Sequence, residues 1–543
     1  MTPAAFCARG FELTTLEAAA GPSGVVSRRR AAATRSEGRR GSWRAGAPVA
    51  MNVAERTKDG AAARQALRPA AVRGRVSYNA STRVVGRAAG ALITLEALRL
   101  TTHYFGASRW GAVVAASAFA NVFVTLCDFG LSRVVSREVA ARSGDAGAVY
   151  GAGLIGGMLV SVGSAALMTS AVFVAYAGRP ELRHLSLILV LSLPPNAFWL
   201  LSGSVLTARA RNDVRGVVDV VSSGFLVAAA GATVALALAA SGYVWLTVVA
   251  DCLTAAVGMT LARRHVRADL RPGALLVLPL LRRAAPIGAS QALAGLATQL
   301  DVVVLSMVAS ASSVGAFGVG FQLAIFGAAV PALLTAAMLP KFVDASPERQ
   351  QRLMQAAVDT LVLVAAFIPL LALVFARPVL LLLAGRGFAG GAASLVVMSC
   401  YAALMFPATA FVDGLIFLRA EADVLKAVVA GTVTNLVLAG SAIPLLGPVA
   451  AAASMTAGSA AFMVAGAVLF RRRAGFALSA RRVRRVVSVA ALLAASWLLA
   501  RALAHVSPAE SWAALPEMAG LAAIYLGLCT LPGVLRRLAA GRG

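Results

Sequence analysis

Residues 84–104, Val-Val-Gly-Arg-Ala-Ala-Gly-Ala-Leu-Ile-Thr-Leu-Glu-Ala-Leu-Arg-Leu-Thr-Thr-His-Tyr, and residues 111–132, Gly-Ala-Val-Val-Ala-Ala-Ser-Ala-Phe-Ala-Asn-Val-Phe-Val-Thr-Leu-Cys-Asp-Phe-Gly-Leu-Ser, decide how this chain is read. As helices rising 1.5 Å per residue, each is long enough for a hydrocarbon core about 30 Å thick. Only a short turn separates them. Twelve more stretches of this kind follow, at about 149–177, 184–207, 216–239, 243–262, 284–308, 312–338, 356–376, 391–417, 424–445, 447–470, 486–505 and 516–535. None shows the short apolar–polar alternation of barrel strands, and a spanning backbone must satisfy its own hydrogen bonds. Hydrophobic residues make up 59% of the 543 and charged residues 13%. A water-soluble fold has no means of hiding so much apolar surface. The fold class expected is all-α: a polytopic membrane protein of about 14 transmembrane helices.

The connections give an orientation. With the N-terminus inside, 27 arginines and lysines fall on the inner side of the spans and six on the outer, the six being Arg109, Arg179, Arg183, Arg377, Arg386 and Arg501. The densest inner connections hold Arg263, Arg264, Arg267, Arg271, Arg282 and Arg283, and then Arg471, Arg472, Arg473, Arg481, Arg482, Arg484 and Arg485. This bias places both termini in the cytoplasm of a cell with a multi-pass plasma-membrane protein. Most of the +27 formal charge is therefore topogenic, and nucleic-acid binding is not called for.

Residues 1–78 form a basic leader with no periodic apolar face, which reads as disordered and cytoplasmic. Ser27-Arg28-Arg29-Arg30 lacks the apolar region of a twin-arginine signal. Met51 offers an alternative start to a shorter leader. The cysteines (Cys7, Cys127, Cys252, Cys400, Cys529) and the histidines (His103, His184, His265, His505) are dispersed, and neither a metal site nor a cofactor follows from them.

Two sequence anchors recur. Trp110-Gly111-Ala112 aligns with Val314-Gly315-Ala316 at an offset of 204. Arg209-Ala210 with Asp213-Val214 aligns with Arg419-Ala420 with Asp423-Val424 at an offset of 210. The offset spans six helices, so the copies keep one orientation: two six-helix halves in parallel repeat, residues 79–265 and 266–475, followed by two C-terminal helices and a tail in 476–543. Pro194-Pro195 and Pro407 fall at similar places in the two halves and are candidate kinks.

Six plus six plus two helices with short loops resembles the multidrug/oligosaccharidyl-lipid/polysaccharide exporter superfamily, most of all its polysaccharide-synthesis branch of Wzx-type oligosaccharide flippases. The carrying residues are Tyr104-Phe105-Gly106 before Trp110-Gly111, Asp128-Phe129-Gly130-Leu131 with Arg137-Glu138, and Asp301 before Val314-Gly315-Ala316-Phe317. The resemblance implies export of a lipid-linked oligosaccharide or polysaccharide precursor from inner to outer leaflet by alternating access. It leaves as alternatives a multidrug/cation antiporter and a peptidoglycan lipid-precursor flippase. A membrane glycosyltransferase or polymerase would need a substantial loop, and no outer loop exceeds about 16 residues. No Gly-x-x-x-x-Gly-Lys-Ser/Thr motor motif occurs in the chain. Arginine's dominance over lysine, with abundant Ala, Gly and Val, points to a high-GC bacterial genome, and the resemblance implies a role at the cell envelope.

Ionised groups inside spans are the site candidates, because each costs a few kcal/mol in lipid and so faces a cavity or a partner. Arg87, Glu96 and Arg99 lie on the first helix. Glu96 and Arg99, three apart, share a face and can pair. Asp301 on the seventh helix is one residue from the image of Glu96 at an offset of 204. In the implied fold these helices face one cleft, where Arg87 and Arg99 suit the phosphates of a lipid-linked glycan. Glu96 and Asp301 are then placed to orient those arginines or to bind a coupling cation. Asp251, which has no partner nearby in sequence, and Asp413 are further cavity candidates. Asp128 and Asp219 read as helix-end contacts.

Overall fold

The computed structural model describes residues 70–141, 145–343, 347–418 and 420–474. The leader up to residue 69, with Met51, and the two C-terminal spans lie outside the described residues. Among those described, every regular element is a helix. They are α1 (Ala70–Asp128), α2 (Leu131–Ala141), α3 (Ala146–Ala175), α4 (Pro180–Val190), α5 (Leu193–Ala208), α6 (Asn212–Ala235), α7 (Ala240–Arg263), α8 (Leu270–Val308), α9 (Ala311–Val343), α10 (Pro347–Ala384), a 3-10 turn (Arg386–Gly391), α11 (Ala392–Phe417), α12 (Glu421–Leu446) and α13 (Pro448–Ala474).

Ten helical stretches in this set are long and apolar enough to cross a membrane, and α4 and α5, bent by 41° at their break, form an eleventh as a pair. The bend falls at Leu191-Ser192, directly before Pro194-Pro195 in the first turn of α5, where proline is tolerated. At Pro407 the backbone continues as one element, α11. One proline is thus accommodated inside a helix, whereas the pair stands at a helix start, after the bend.

The first apolar stretch, Ala88–Ala141, covers 54 residues and would reach about 80 Å if straight. It is not straight. Gly106 has φ 68 and ψ 176, a conformation that favours glycine, and it breaks α1 into two limbs. The neighbours of each limb give the path. Before the break, Thr94 donates to Ser223 at 3.4 Å and Tyr104 to Leu238 O at 3.1 Å, so the first limb runs with α6. Beyond it, Gly295 abuts Thr125 and Gly288 abuts Phe129, so the second limb runs against α8. The chain therefore reverses at Gly106. At the far end of the second limb Phe129 (φ 41) and Gly130 (φ 74) make the turn into α2. Asp128 secures that turn by accepting from the backbone N–H and hydroxyl of Ser132 at 3.0 and 2.8 Å.

The second limb of α1 and α9 touch backbone to backbone. A Cβ on Gly111 would collide with Ala311 O, and one on Gly315 with Ala107 O. Apolar packing is continuous at the Gly106 end of the bundle, where one core runs from Phe105 and Trp110 through Leu189 and Val244 to Phe317, Phe388 and Met455. At the Asp128 end it divides into a cluster around Val135, Tyr150 and Leu201 and another around Leu361, Phe411 and Leu415.

Candidate functional site

A cavity of about 90 Å³ lies where α1, α6, α7, α8 and α9 meet. The second limb of α1 and α7 each contribute one helix face: Trp110, Val113, Ser117 and Asn121 from the limb, Tyr243, Thr247 and Asp251 from α7. Gln299 on α8 and Gln322 on α9 complete the polar part. Among the described residues that line it there is no arginine or lysine. The space holds on the order of six waters, the displacement of one sugar ring rather than of a lipid-linked chain.

Three of these lining residues carry polar atoms with no partner in the described structure. They are Trp110 Nε1, both amide atoms of Asn121, and Gln299 Nε2. Asn121 is fully buried and Gln299 2% exposed. An unmet buried donor or acceptor costs about 1–3 kcal/mol, so these groups are arranged for something that enters the cavity.

Asp251 is the one acidic residue among the described lining residues. Asn196 Nδ2 donates to its Oδ2 at 3.1 Å and to Ser192 O at 2.9 Å. Asn196 sits directly after the proline pair, so the bend between α4 and α5 sets the partner that local sequence does not reveal.

The other candidates stand apart from this lining. Asp301 on α8 is fully buried and turned toward α12 and α13. Ser454 Oγ donates to its Oδ1 at 2.6 Å and Asn435 Nδ2 to its Oδ2 at 3.0 Å. The remaining amide oxygen of Asn435 is buried without a partner. Arg99 holds Glu96 through two bonds, 2.8 and 2.7 Å, and their side chains are 39% and 45% exposed. By helical spacing that pair lies on the opposite side of the first limb from Thr94, Ala97 and Leu98, which line the cavity. Arg87 lies on α1, but its side chain is outside those described. Asp413 is partly buried on α11, and Asp219 is buried on α6. The structure thus does not gather Glu96, Arg99, Asp301 and Asp251 into one cluster.

Sequence reading followed charge and passed over Trp110, Asn121 and Gln299. The signal that finds them is the 110–117–121 spacing, which puts an indole, a hydroxyl and an amide on one face.

Polar contacts tie α8 to its neighbours near both ends. Arg179 donates to Ser306 O and, at 3.0 Å, to Met307 O, and Tyr176 OH pairs with Ser306 Oγ at 3.0 Å. At the opposite end Arg283 on α8 bonds Glu138 on α2 at 2.9 Å.

The fold is thus a bundle of helices long and apolar enough to cross a membrane, with a cavity between them. Residues 79–346 match the family model described as polysaccharide biosynthesis protein. Among solved structures, the chain is similar to the lipid II flippase MurJ in an inward closed conformation, at 10% identity and TM-score 0.70, covering 83% of this chain and 99% of that one. It is also similar to multidrug resistance MATE family transporters of the MOP superfamily. The inward-facing form gives 15% identity and TM-score 0.56 over 71% of this chain and 98% of that one. The outward-facing form gives 16% identity and TM-score 0.52 over 74% and 95%. No curated protein sequence matches the chain. The resemblance carried by Tyr104-Phe105-Gly106, Asp128-Phe129-Gly130 and their neighbours is met in the fold, which this chain shares with these solved structures.

Proposed function

We propose that this transporter moves a lipid-linked oligosaccharide or polysaccharide precursor from the inner to the outer leaflet by alternating access. The observation that carries the reading is the cavity between apolar helices, into which a few amide and hydroxyl groups project, in a chain whose residues 79–346 match the polysaccharide biosynthesis family. The moving bodies are two six-helix halves in parallel repeat. The reciprocal contact of Gly111 with Ala311 and Gly315 with Ala107, each related by an offset of 204, supports that symmetry. Counting the limbs of α1 as two spans, the α4–α5 pair as one and the two C-terminal stretches as spans gives fourteen in all. The arginine bias then puts both termini and the Asp128 end in the cytoplasm. Transport needs no covalent step, and no residue is assigned a catalytic role.

Energy enters through a monovalent cation or proton at Asp301. A carboxylate so enclosed, bonded by two neutral donors, needs a counter-charge or a proton. Asn435 Oδ1 is a further oxygen. One carboxylate with neutral oxygens suits a hard ion of low charge better than a transition metal. Arg99 is the candidate for the lipid's phosphates.

The test uses purified protein in liposomes containing a polyprenyl-diphosphate-linked oligosaccharide. Externally accessible sugar is followed by lectin capture. Protein-dependent equilibration of the two leaflets is expected. Absence of equilibration in vesicles that do export a cationic dye would replace this reading with drug export.

A further inference from the structure

We infer that the start of α8 is a docking surface for acidic phospholipids, whose headgroups it holds with arginines set on either side of an apolar patch. The inference stands whatever cargo the protein moves.

The helix is longer than its span. α8 covers 39 residues, about 58 Å, against a hydrocarbon core about 30 Å thick. The surplus lies at its start, where Arg271, Arg282 and Arg283 precede the expected span 284–308. These first turns are nevertheless not a plain aqueous surface. Leu275 is 83% exposed and Leu278 57%. Arg271, Leu275, Leu278 and Arg282 follow at steps of four, three and four. They therefore form one stripe, with leucines at its centre and a cation at each end. Positive charge alone suffices to orient a chain in the membrane, and it does not call for bare leucines between the charges. A stripe of this kind lies in a bilayer interface, leucines toward the acyl chains and guanidinium groups among the phosphates.

The rest of the helix start is held against α3. On the opposite face Val277, Leu280 and Ala284 pack with Val149 and Tyr150. Just ahead of α8 the Asp269 N–H donates to Gly147 O at 2.9 Å, and Gly151 abuts Asp269 O. The stripe is thus presented outward on a fixed backbone.

Its cations are available to a ligand. Arg283, next along the helix, is held by Glu138. Among the described residues no carboxylate engages Arg271 or Arg282, and both are exposed. At the start of α12, by contrast, Asp423 takes both Lys426 and Arg473, at 2.8 and 3.0 Å. Arg271 and Arg282 stand about 16 Å apart along the helix. One diphosphate cannot reach both, so the stripe fits a row of lipid headgroups rather than the anchor of a single lipid-linked glycan.

The experiment uses the full chain in phosphatidylcholine nanodiscs. A bimane is attached at Leu275→Cys in a background whose native cysteines are replaced. Its quenching by acyl-brominated phosphatidylglycerol is compared with that by acyl-brominated phosphatidylcholine at equal fractions. Phosphatidylglycerol is expected to quench at a severalfold lower fraction. Arg271→Gln with Arg282→Gln should abolish that preference, each arginine contributing about fivefold. The same label at Leu425→Cys, beside the engaged Lys426, should show little preference. Equal quenching by both lipids at Leu275→Cys would reduce the arginines to orientation signals and overturn the inference. Quenching by neither would put the leucines in water and overturn it as well. So would a preference that survives the double variant, or one as strong at Leu425→Cys.

Discussion

Gly111 and Gly315 meet where the second limb of α1 crosses α9, with the Cβ direction of Gly111 2.9 Å from Gly315 N and that of Gly315 3.1 Å from Gly111 N. Each glycine also faces the carbonyl four residues before the other. No side chain fits on either, so the crossing holds the helices at backbone distance, as small residues do in membrane interfaces.

A larger residue at this crossing should separate the helices. Gly111→Leu and Gly315→Leu are each expected to destabilise by about 1–3 kcal/mol or more, because carbonyl backbone cannot swing aside as a side chain can. Thermal unfolding in detergent, followed by tryptophan fluorescence, would show a drop for both. An unchanged midpoint would mean that the helices do not touch there.

Orientation is open to direct labelling. Asp269, exposed at the start of α8, belongs to the connection dense in arginine. A cysteine replacing it, in a background without native cysteines, should react with an impermeant maleimide only in inside-out vesicles. Labelling from outside intact cells would reverse the topology.

Arg99 and Glu96 form a two-bonded pair on the first limb, with side chains 39% and 45% exposed. Arg99→Ala should still insert, at a stability cost of up to a few kcal/mol for the Glu96 left alone in the span, and should cut glycan transport by more than about tenfold, the loss of a charge-assisted bond. Arg99→Lys should restore part of it, since lysine keeps the charge and loses the two-pronged geometry. Normal transport by Arg99→Ala would remove this residue from the substrate path.

Asp301→Asn keeps the shape of the buried carboxylate but turns an amide donor toward either Ser454 or Asn435, at a cost of about 1–3 kcal/mol. Protein that still folds should transport at a rate indifferent to an imposed proton or sodium gradient. Persistence of the gradient dependence would move the coupling site away from Asp301.

The latch at the Gly106 end should set which side opens. Arg179→Ala removes bonds to two carbonyls at the end of α8. Labelling of Ser117→Cys from the outer side is expected to rise by up to about tenfold, the equivalent of a charge-assisted hydrogen bond or two. No rise would mean that other contacts, Tyr176 with Ser306 among them, hold that end closed.

What the sequence determined by itself is whatever depends on near neighbours or on the solvent. Long apolar runs demand helices in lipid, so the helical membrane fold could be read directly. Glu96 and Arg99, three apart on one helix, had to be able to meet. Pro194-Pro195 announced a bend, and Asp128 a contact at a helix end. Tertiary structure alone decided which helix faces meet. It turned Asp301 away from the cavity and toward Asn435 and Ser454, gave Asp251 the amide of Asn196, and collected Trp110, Asn121 and Gln299. The reason is physical. Lipid tails are as apolar as a protein interior, so a membrane helix's sequence scarcely marks which face turns inward. Rotation about each helix axis is set by close backbone contacts such as Gly111 on Gly315, and those exist only once both helices are in place.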